Sequence, residues 1–337
     1  MANPREALDS NRRAAQRLVD KLGVQRVEKL LHGSQRELEA RLRTMSGGAR
    51  TFTREQMKAT LAQVRTVLQQ TTIPGIRDTV VDAAPKLGEH VAVGTMRYLE
   101  DAEQHFRGVG AQPLALDEVA VLDAGVAGAE ATVLRRLASG GTDEPGATEF
   151  EHRAKAGILE RYGMNTIAAF EETLQKGMLQ RKSFADMRAD LIEQSPFLQG
   201  KPMFWATRIA RTELMGAENR AAFEAQRQSN EQLGDMLKIL AATFDNRTAA
   251  DSYAVHGQIR RPEEAFETWQ GLMQHPPARP NDREIVVPHR MSWPLPPYLA
   301  WKTDEQIAMR WRMEGRKGAH PPRPLMTTVP LARIGSG

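Results

Sequence analysis

Seven acidic and imidazole side chains in the C-terminal half are the residues whose types could do chemistry. They are Glu213, Asp245, Asp251, His256, Asp282, Glu284 and His289. Carboxylate oxygens and imidazole nitrogens are suitable ligands for Mg²⁺, Mn²⁺ or Zn²⁺. No spacing among the seven matches a known ligand motif, and turn-forming or paired surface groups are the better explanation for them. We therefore expect no metal, no cofactor and no catalytic residue, and a metal site is the alternative.

Arginine and aromatic side chains of the same region have structural interpretations. Arg247 and Arg283 each lie in a polar turn at the end of an expected strand, where a guanidinium can bind carboxylates or backbone carbonyls. Trp293, Tyr298 and Trp301 could stack on nucleic-acid bases. Such residues more often anchor an extended segment on the core or on a partner subunit, so we assign these three to docking.

The common catalytic signatures are absent from the sequence. It contains no P-loop, no G-x-G-x-x-G, no H-E-x-x-H and no G-x-S-x-G motif. Cys is absent, which excludes disulfides and thiolate metal sites. These absences favour a protein that is not an enzyme.

The elements that must position these residues lie between Phe204 and Pro288. A helix is predicted from about 203 to 227, followed by a strand over 237–244 and short strands at 259–261 and 285–287. The helix has a face of small apolar residues at three- and four-residue steps: Ala206, Ala210, Leu214, Ala217 and Ala221. The segment therefore predicts a compact α+β unit.

The residues before this unit predict a helical scaffold. Helices are expected over 5–46, over 76–107 and over about 148–178, with a shorter one from Ser183 to about 194. Residues 117–138 are rich in Ala and Val and polar at intervals. Thr53 and Gln56 form a capping-box pattern. The triplet Ile73-Pro74-Gly75 predicts a break, and Pro85 predicts a kink or a boundary.

The chain after residue 290 changes composition. It is rich in Pro and Trp, its last helix is expected from the Thr303–Gln306 capping pair to about 314, and residues from Gly315 onward predict an arm that orders only on a partner. The predicted fold is mainly α with a small α+β C-terminal domain and an extended Pro-rich tail. Its expected domains are a scaffold (1–140), a helical lead-in (148–202), the α+β domain (203–290) and a docking arm (291–337).

Charge and hydropathy limit the partners. The formal net charge of the 337 residues is +4, and the arginines are scattered along the sequence, which is too weak a pattern to argue nucleic-acid binding. No window approaches the roughly 18 apolar residues of a membrane span, and no secretory signal is expected.

A series of short motifs lies in order between residues 209 and 284. The I-A-R-T-E pattern is present as 209–213, which contains Arg211, Thr212 and Glu213, and it is followed by Asn219. The D-x-R-T pattern comprises Asp245, Arg247 and Thr248, the G-Q pattern begins at Gly257, and P-N-D-R-E surrounds Arg283. This series resembles the phage head morphogenesis family, the minor capsid proteins like the Mu F protein, over about 165–290. The family's closing pattern is P-N-C-R-C, so both of its cysteines are replaced here.

The resemblance implies a structural minor head protein of a tailed phage. Its implied partners are the portal protein, the major capsid protein and packaged DNA, with no membrane. It would lie in the virion, in the capsid interior or portal region, and in the host cytoplasm during assembly. The alternatives are a metal-dependent nuclease or hydrolase and a DNA-binding accessory module.

The positions of Glu213 and Arg247 predict an ion pair. Glu213 lies near the small-residue face of its helix, and Arg247 follows the end of the strand that must pack there. We expect the pair to be partly buried and to fix the helix against the turn.

Overall fold

The protein is mainly helical, with a small antiparallel sheet in its C-terminal part. The computed structural model describes residues 4–45, 52–107, 114–138, 158–193, 201–244, 248–276 and 284–329. The helices in these ranges are α1 (Pro4–Val19), α2 (Gln25–Thr44), α3 (Arg54–Val67), α4 (Ile73–Arg107), α5 (Glu118–Ala138), α6 (Ile158–Leu179), α7 (Phe184–Glu193), α8 (Lys201–Leu233), α9 (Ala250–Val255) and α10 (Asp304–Met313). The strands are β1 (Met236–Ala241), β2 (Ile259–Arg260), β3 (Phe266–Thr268), β4 (Gly271–Met273) and β5 (Ile285–Arg290).

Two short π-helical segments make long continuous helices out of shorter ones. Asp20–Val24 joins α1 to α2, and Leu68–Thr72 joins α3 to α4. The predicted break at Ile73-Pro74-Gly75 is therefore wrong. A proline ring clashes with the carbonyl four residues earlier, and the wider π turn makes room for it. Pro85 lies inside α4 and does not end it.

The helical core is built on the small-residue face of α8. Ala206, Ala210, Leu214, Ala217 and Ala221 are buried there, as the sequence pattern predicts. Helices α4, α5 and α8 pack against one another on this side of the protein. The close approach of α4 to α5 depends on glycine, because a Cβ on Gly88 would lie 2.9 Å from the carbonyl oxygen of Gly125.

The small sheet has the strand order β2-β1-β5, and all its pairings are antiparallel. β1 is the central strand, and Lys238 lies opposite Arg260 on one side and Pro288 on the other. Pro288 is tolerated because β5 is an edge strand. The β3–β4 hairpin and α9 were not predicted; both are short.

The tail from Gly315 to Val329 packs on its own chain, which corrects the prediction of an arm ordered only on a partner. Ile259 forms a parallel bridge with Thr327, and its amide donates to the carbonyl of Met326 at 2.7 Å. The indole of Trp269 donates to the carbonyl of Pro322 at 3.0 Å. The sheet edge supplies the hydrogen bonds that the Pro-rich sequence cannot make internally. Residues 330–337 lie outside the described residues.

The sheet is joined to α4 by a buried ion-pair network. Arg290 contacts Glu103 at 3.0 Å and Asp235 at 2.9 Å, and its side chain is 12% exposed. The indole Nε1 of Trp293 donates to the same Glu103 carboxylate at 2.7 Å. Burial opposes the charge on Arg290, but its hydrogen bonds to Asp235 and the attraction of both carboxylates outweigh burial and raise its pKa.

Removing Glu103 should destabilise the fold strongly. Glu103→Ala leaves Arg290 with one carboxylate and Trp293 with none, and loss of one partner of a buried pair costs about 3–5 kcal/mol. We expect that loss in the free energy of unfolding measured with urea. Glu172→Ala, which removes an exposed pair with Lys176, is the control and should cost about 0–1 kcal/mol. Equal losses in the two variants would contradict the network's role.

Candidate functional site

Most of the described residues that carry the sequence resemblance lie on α8. Arg211, Thr212, Glu213 and Asn219 lie on α8, and Thr248 follows β1. Asp245, Arg247 and Arg283 lie outside the described residues. The Glu213–Arg247 pair therefore stays a prediction.

Three of the α8 motif residues are buried. Glu213 and Asn219 are each 1% exposed, and Thr212 is 3% exposed. The amide of Asn219 donates to the carbonyl of Met215 at 3.0 Å, within the same helix. Arg211 instead contacts Asp20, the first residue of the π-helical segment after α1, at 3.4 Å. The motif thus contributes one surface cation and a set of buried polar groups.

Gly257 and Gln258, the G-Q pair, are structural residues. Gly257 has φ +79°, a conformation that L side chains rarely adopt, and a Cβ there would lie 2.3 Å from the carbonyl oxygen of Leu299. The carbonyl of Gly257 accepts from the indole of Trp301 at 2.8 Å. The amide group of Gln258 bonds both the N–H and the carbonyl of Glu267, at 2.7 and 3.0 Å. The pair therefore fixes β3 and the segment after β5.

The aromatic residues assigned to docking contact the protein's own core. Trp293 is fully buried and packs in the sheet core with Leu99 and Val287. Its assignment to a partner surface is wrong, because Glu103 and the aliphatic side chains around it satisfy the indole within the chain. Tyr298 and Trp301 are half-buried, and the Tyr298 hydroxyl lies 3.4 Å from that of Tyr98.

Three acidic residues proposed for a metal site, Glu213, Asp251 and Glu284, are buried. Asp251 accepts from the amide nitrogen of Ser252 at 2.9 Å and from the side chain of Gln270 at 2.6 Å. Glu284 is 3% exposed. Within the described ranges, no group of three or more His, Cys, Asp or Glu side chains could hold a metal ion. Asp245 and Asp282, two of the seven candidates, lie outside these ranges.

Both histidines of that set are buried. The backbone N–H of Ala242 donates to Nδ1 of His256 at 3.1 Å, so Nε2 carries the proton and donates to the carbonyl of Tyr298 at 3.1 Å. Burial, with the nearby charge of Lys302, lowers the pKa of His256 to about 4. Burial also lowers the pKa of His289 to about 4, and its ring packs edge-on against Trp293. Both are neutral at pH 7.

Lys238 is a buried cation that the sequence analysis missed. Its ammonium lies 4.7 Å from the ring centre of Phe223 and 4.9 Å from that of Phe266. It donates to the backbone and side-chain carbonyls of Gln274 at 3.0 and 2.8 Å. Burial lowers the pKa of Lys238 to about 7, because its effect outweighs the attraction of Glu263, which raises the pKa. In the sequence, the signal for this buried cation is a lysine within an otherwise apolar strand.

Glu218 is a second group with a displaced pKa. It is 8% exposed, and burial raises its pKa to about 7 against the opposing attraction of Arg12. It lines a small cavity of about 70 Å³ between α1, α4, α8 and β5 and also an open groove between α1 and α8. Displaced pKa values at a cavity mark candidate functional positions.

Comparison with protein-family models, with curated proteins and with solved structures finds no match to this chain. Among the described helices, none has both the length and the apolar character needed to cross a bilayer.

Gly257→Ala should destabilise the α+β unit. The added methyl meets the backbone of Leu299 and forces a strained φ, and such strain costs about 1–3 kcal/mol. Gly33→Ala is a matched control, because a Cβ at Gly33 in α2 meets nothing within 4 Å. That change should stabilise by up to about 1 kcal/mol, since alanine favours helix. Thermal unfolding of both variants checks the prediction, and a stable Gly257→Ala protein would contradict it.

Lys238 should make stability rise with pH. Its pKa falls from 10.5 to about 7 on folding, so between these values the unfolded chain binds more protons than the folded one. The free energy of unfolding should increase from pH 7 upward, by a total on the order of 4 kcal/mol. Urea unfolding between pH 7 and 9.5 measures this change. Lys238→Met should remove most of the rise, and an unchanged slope in that variant would contradict the assignment.

Proposed function

We propose that the chain is a structural minor head protein of a tailed phage, associated with the portal or the inner capsid. It acts there in head assembly and in DNA packaging or ejection. The order of the motifs on α8, after β1 and after α9 supports this proposal. The observation that carries it is that described motif residues build the fold: Asn219 bonds within α8, and Gly257 and Gln258 fix β3 and the segment after β5.

The packing of the motif residues favours a binding platform over a reaction centre. The Thr248 hydroxyl donates to the carbonyl of Thr243, which ties the segment before α9 to the segment after β1. The carbonyl of Gly257 accepts a hydrogen bond from the indole of Trp301, and this bond holds the segment after β5 against the turn before β2. Motif residues with these contacts stabilise the shape of the α+β unit, and an assembly partner would recognise that shape.

The ion-pair network between α4 and the sheet also fits the role of a head protein. α4 has 35 residues and is therefore about 50 Å long, and its C-terminal part carries Glu103 into the network with Arg290. A buried ion pair between elements 187 residues apart keeps the α+β unit fixed relative to the helices. A rigid joint lets contacts made by the helices position the α+β unit within an assembly.

Incorporation into heads tests this proposal. Heads are assembled in cells from the portal and major capsid proteins of the same phage, with this chain added, and are purified by sedimentation. We expect the chain to sediment with heads after nuclease treatment and a high-salt wash. Heads that form normally and contain none of the chain would overturn the proposal.

A pair of glycine variants identifies the part of the chain that docks. Gly257→Ala disturbs the α+β unit, whereas Gly33→Ala adds the same methyl group on an open helix surface. We expect heads to lose the first variant and to keep the second, with soluble amounts of the two matched. Equal incorporation of a destabilised Gly257→Ala protein would show that the α+β unit is not the docking element. Divalent-metal-dependent cleavage of DNA by the purified chain would instead support the nuclease alternative.

A further inference from the structure

An open groove of about 800 Å³ lies between α1 and α8. Two helical stripes line it, and the ends of β1 and β5 contribute Thr243 and Ile285. From α1 it takes Asp9, Arg12, Arg13 and Gln16, and from the π-helical segment after α1 it takes Asp20. From α8 it takes Phe204, Thr207, Arg208, Arg211, Met215 and Glu218. From Phe204 to Glu218 the α8 stripe spans about 21 Å at 1.5 Å per residue.

The groove concentrates arginines that are far apart in the sequence. Arg12 and Arg13 come from α1, and Arg208 and Arg211 come from α8, almost 200 residues later. These arginines are scattered along the sequence, and only the packing of α1 beside α8 brings them together. A cluster of this kind is the electrostatic requirement for an anionic ligand.

Two of these guanidinium groups are available to a ligand. Arg13 is exposed, and neither Arg13 nor Arg208 forms an ion pair with another described residue. Arg211 contacts Asp20 at 3.4 Å, but both side chains remain 42% exposed. At the sheet end of the groove the Glu218 carboxyl is largely buried and holds a proton part of the time at pH 7. The acids of the groove therefore offset its cations only in part.

An aromatic ring lies beside the arginines. Phe204 is 53% exposed, and the guanidinium of Arg208 lies 5.8 Å from its ring centre. An exposed ring flanked by arginines provides a stacking surface for nucleic-acid bases, while the guanidinium groups bind phosphates.

We propose that this groove binds a single strand of nucleic acid. Phosphates contact Arg13, Arg208 and Arg211, and a base stacks on Phe204. The shape favours a single strand over a duplex, because duplex DNA is read by convex elements that enter its grooves, whereas a concave channel suits one strand. The site adds a ligand to the proposed head protein, but binding by the purified chain does not depend on that role.

Fluorescence anisotropy with a short labelled oligothymidylate tests the site. We expect binding that weakens as sodium chloride rises. The double variant Arg13→Ala/Arg208→Ala should weaken affinity by roughly tenfold or more and should lower the slope of log K against log salt by about 1.4, the value for two phosphate contacts to a single strand. Phe204→Ala should weaken binding by about tenfold without changing that slope.

Matched controls make the result specific. Arg54→Ala/Arg97→Ala removes two exposed arginines outside the groove and should bind like the unchanged protein. Circular dichroism confirms that each variant is folded. The proposal is overturned if the unchanged protein fails to bind the oligonucleotide at low salt, or if the two double variants bind equally. Tighter binding of a duplex, or equal competition by polyglutamate, also overturns it. Head incorporation is measured separately, so failure of this site leaves that result unaffected.

Discussion

The contact of Arg290 with Glu103 and Asp235 is the interaction on which the rest of the structure depends. The sheet is small, with three strands of two to six residues, and a sheet of this size needs a partner surface to be stable. The C-terminal part of α4 provides that surface through Tyr98, Leu99 and Ala102. The buried network then fixes its position, because charges without partners in the core would cost several kcal/mol.

Polar residues near the sheet and polar residues of the groove have different surroundings. Near the sheet, Gln258, His256 and Lys238 have their polar groups bound by carbonyls, amides or aromatic rings of neighbouring elements. Arg13, Arg208 and Arg211, which line the groove beside α1 and α8, are exposed or partly exposed. The first group stabilises a shape that a head component would recognise, and the second provides charge for a ligand. The two proposals therefore rest on different surfaces.

Features set by neighbouring residues were predictable from the sequence, and those set by distant residues were not. The capping boxes at Thr53 and Thr303 and the alanine face of α8 depend on local spacing, and all three are confirmed. The burial of Lys238 depends on rings from α8 and β3, and the order of the tail depends on the open edge of β2. Composition alone could not place Trp293, because the carboxylate that accepts its indole N–H lies 190 residues away.

Hydrogen exchange measured by mass spectrometry tests most directly whether helices and sheet form one cooperative unit. The relevant peptides cover β1 and the last three turns of α4, followed across a range of urea concentrations too low to unfold the protein. We expect both segments to exchange with the same free energy and the same dependence on urea. Glu103→Ala should separate them by lowering the protection of β1 first. Exchange of β1 at low free energy in the unchanged protein, while α4 stays protected, would contradict this expectation.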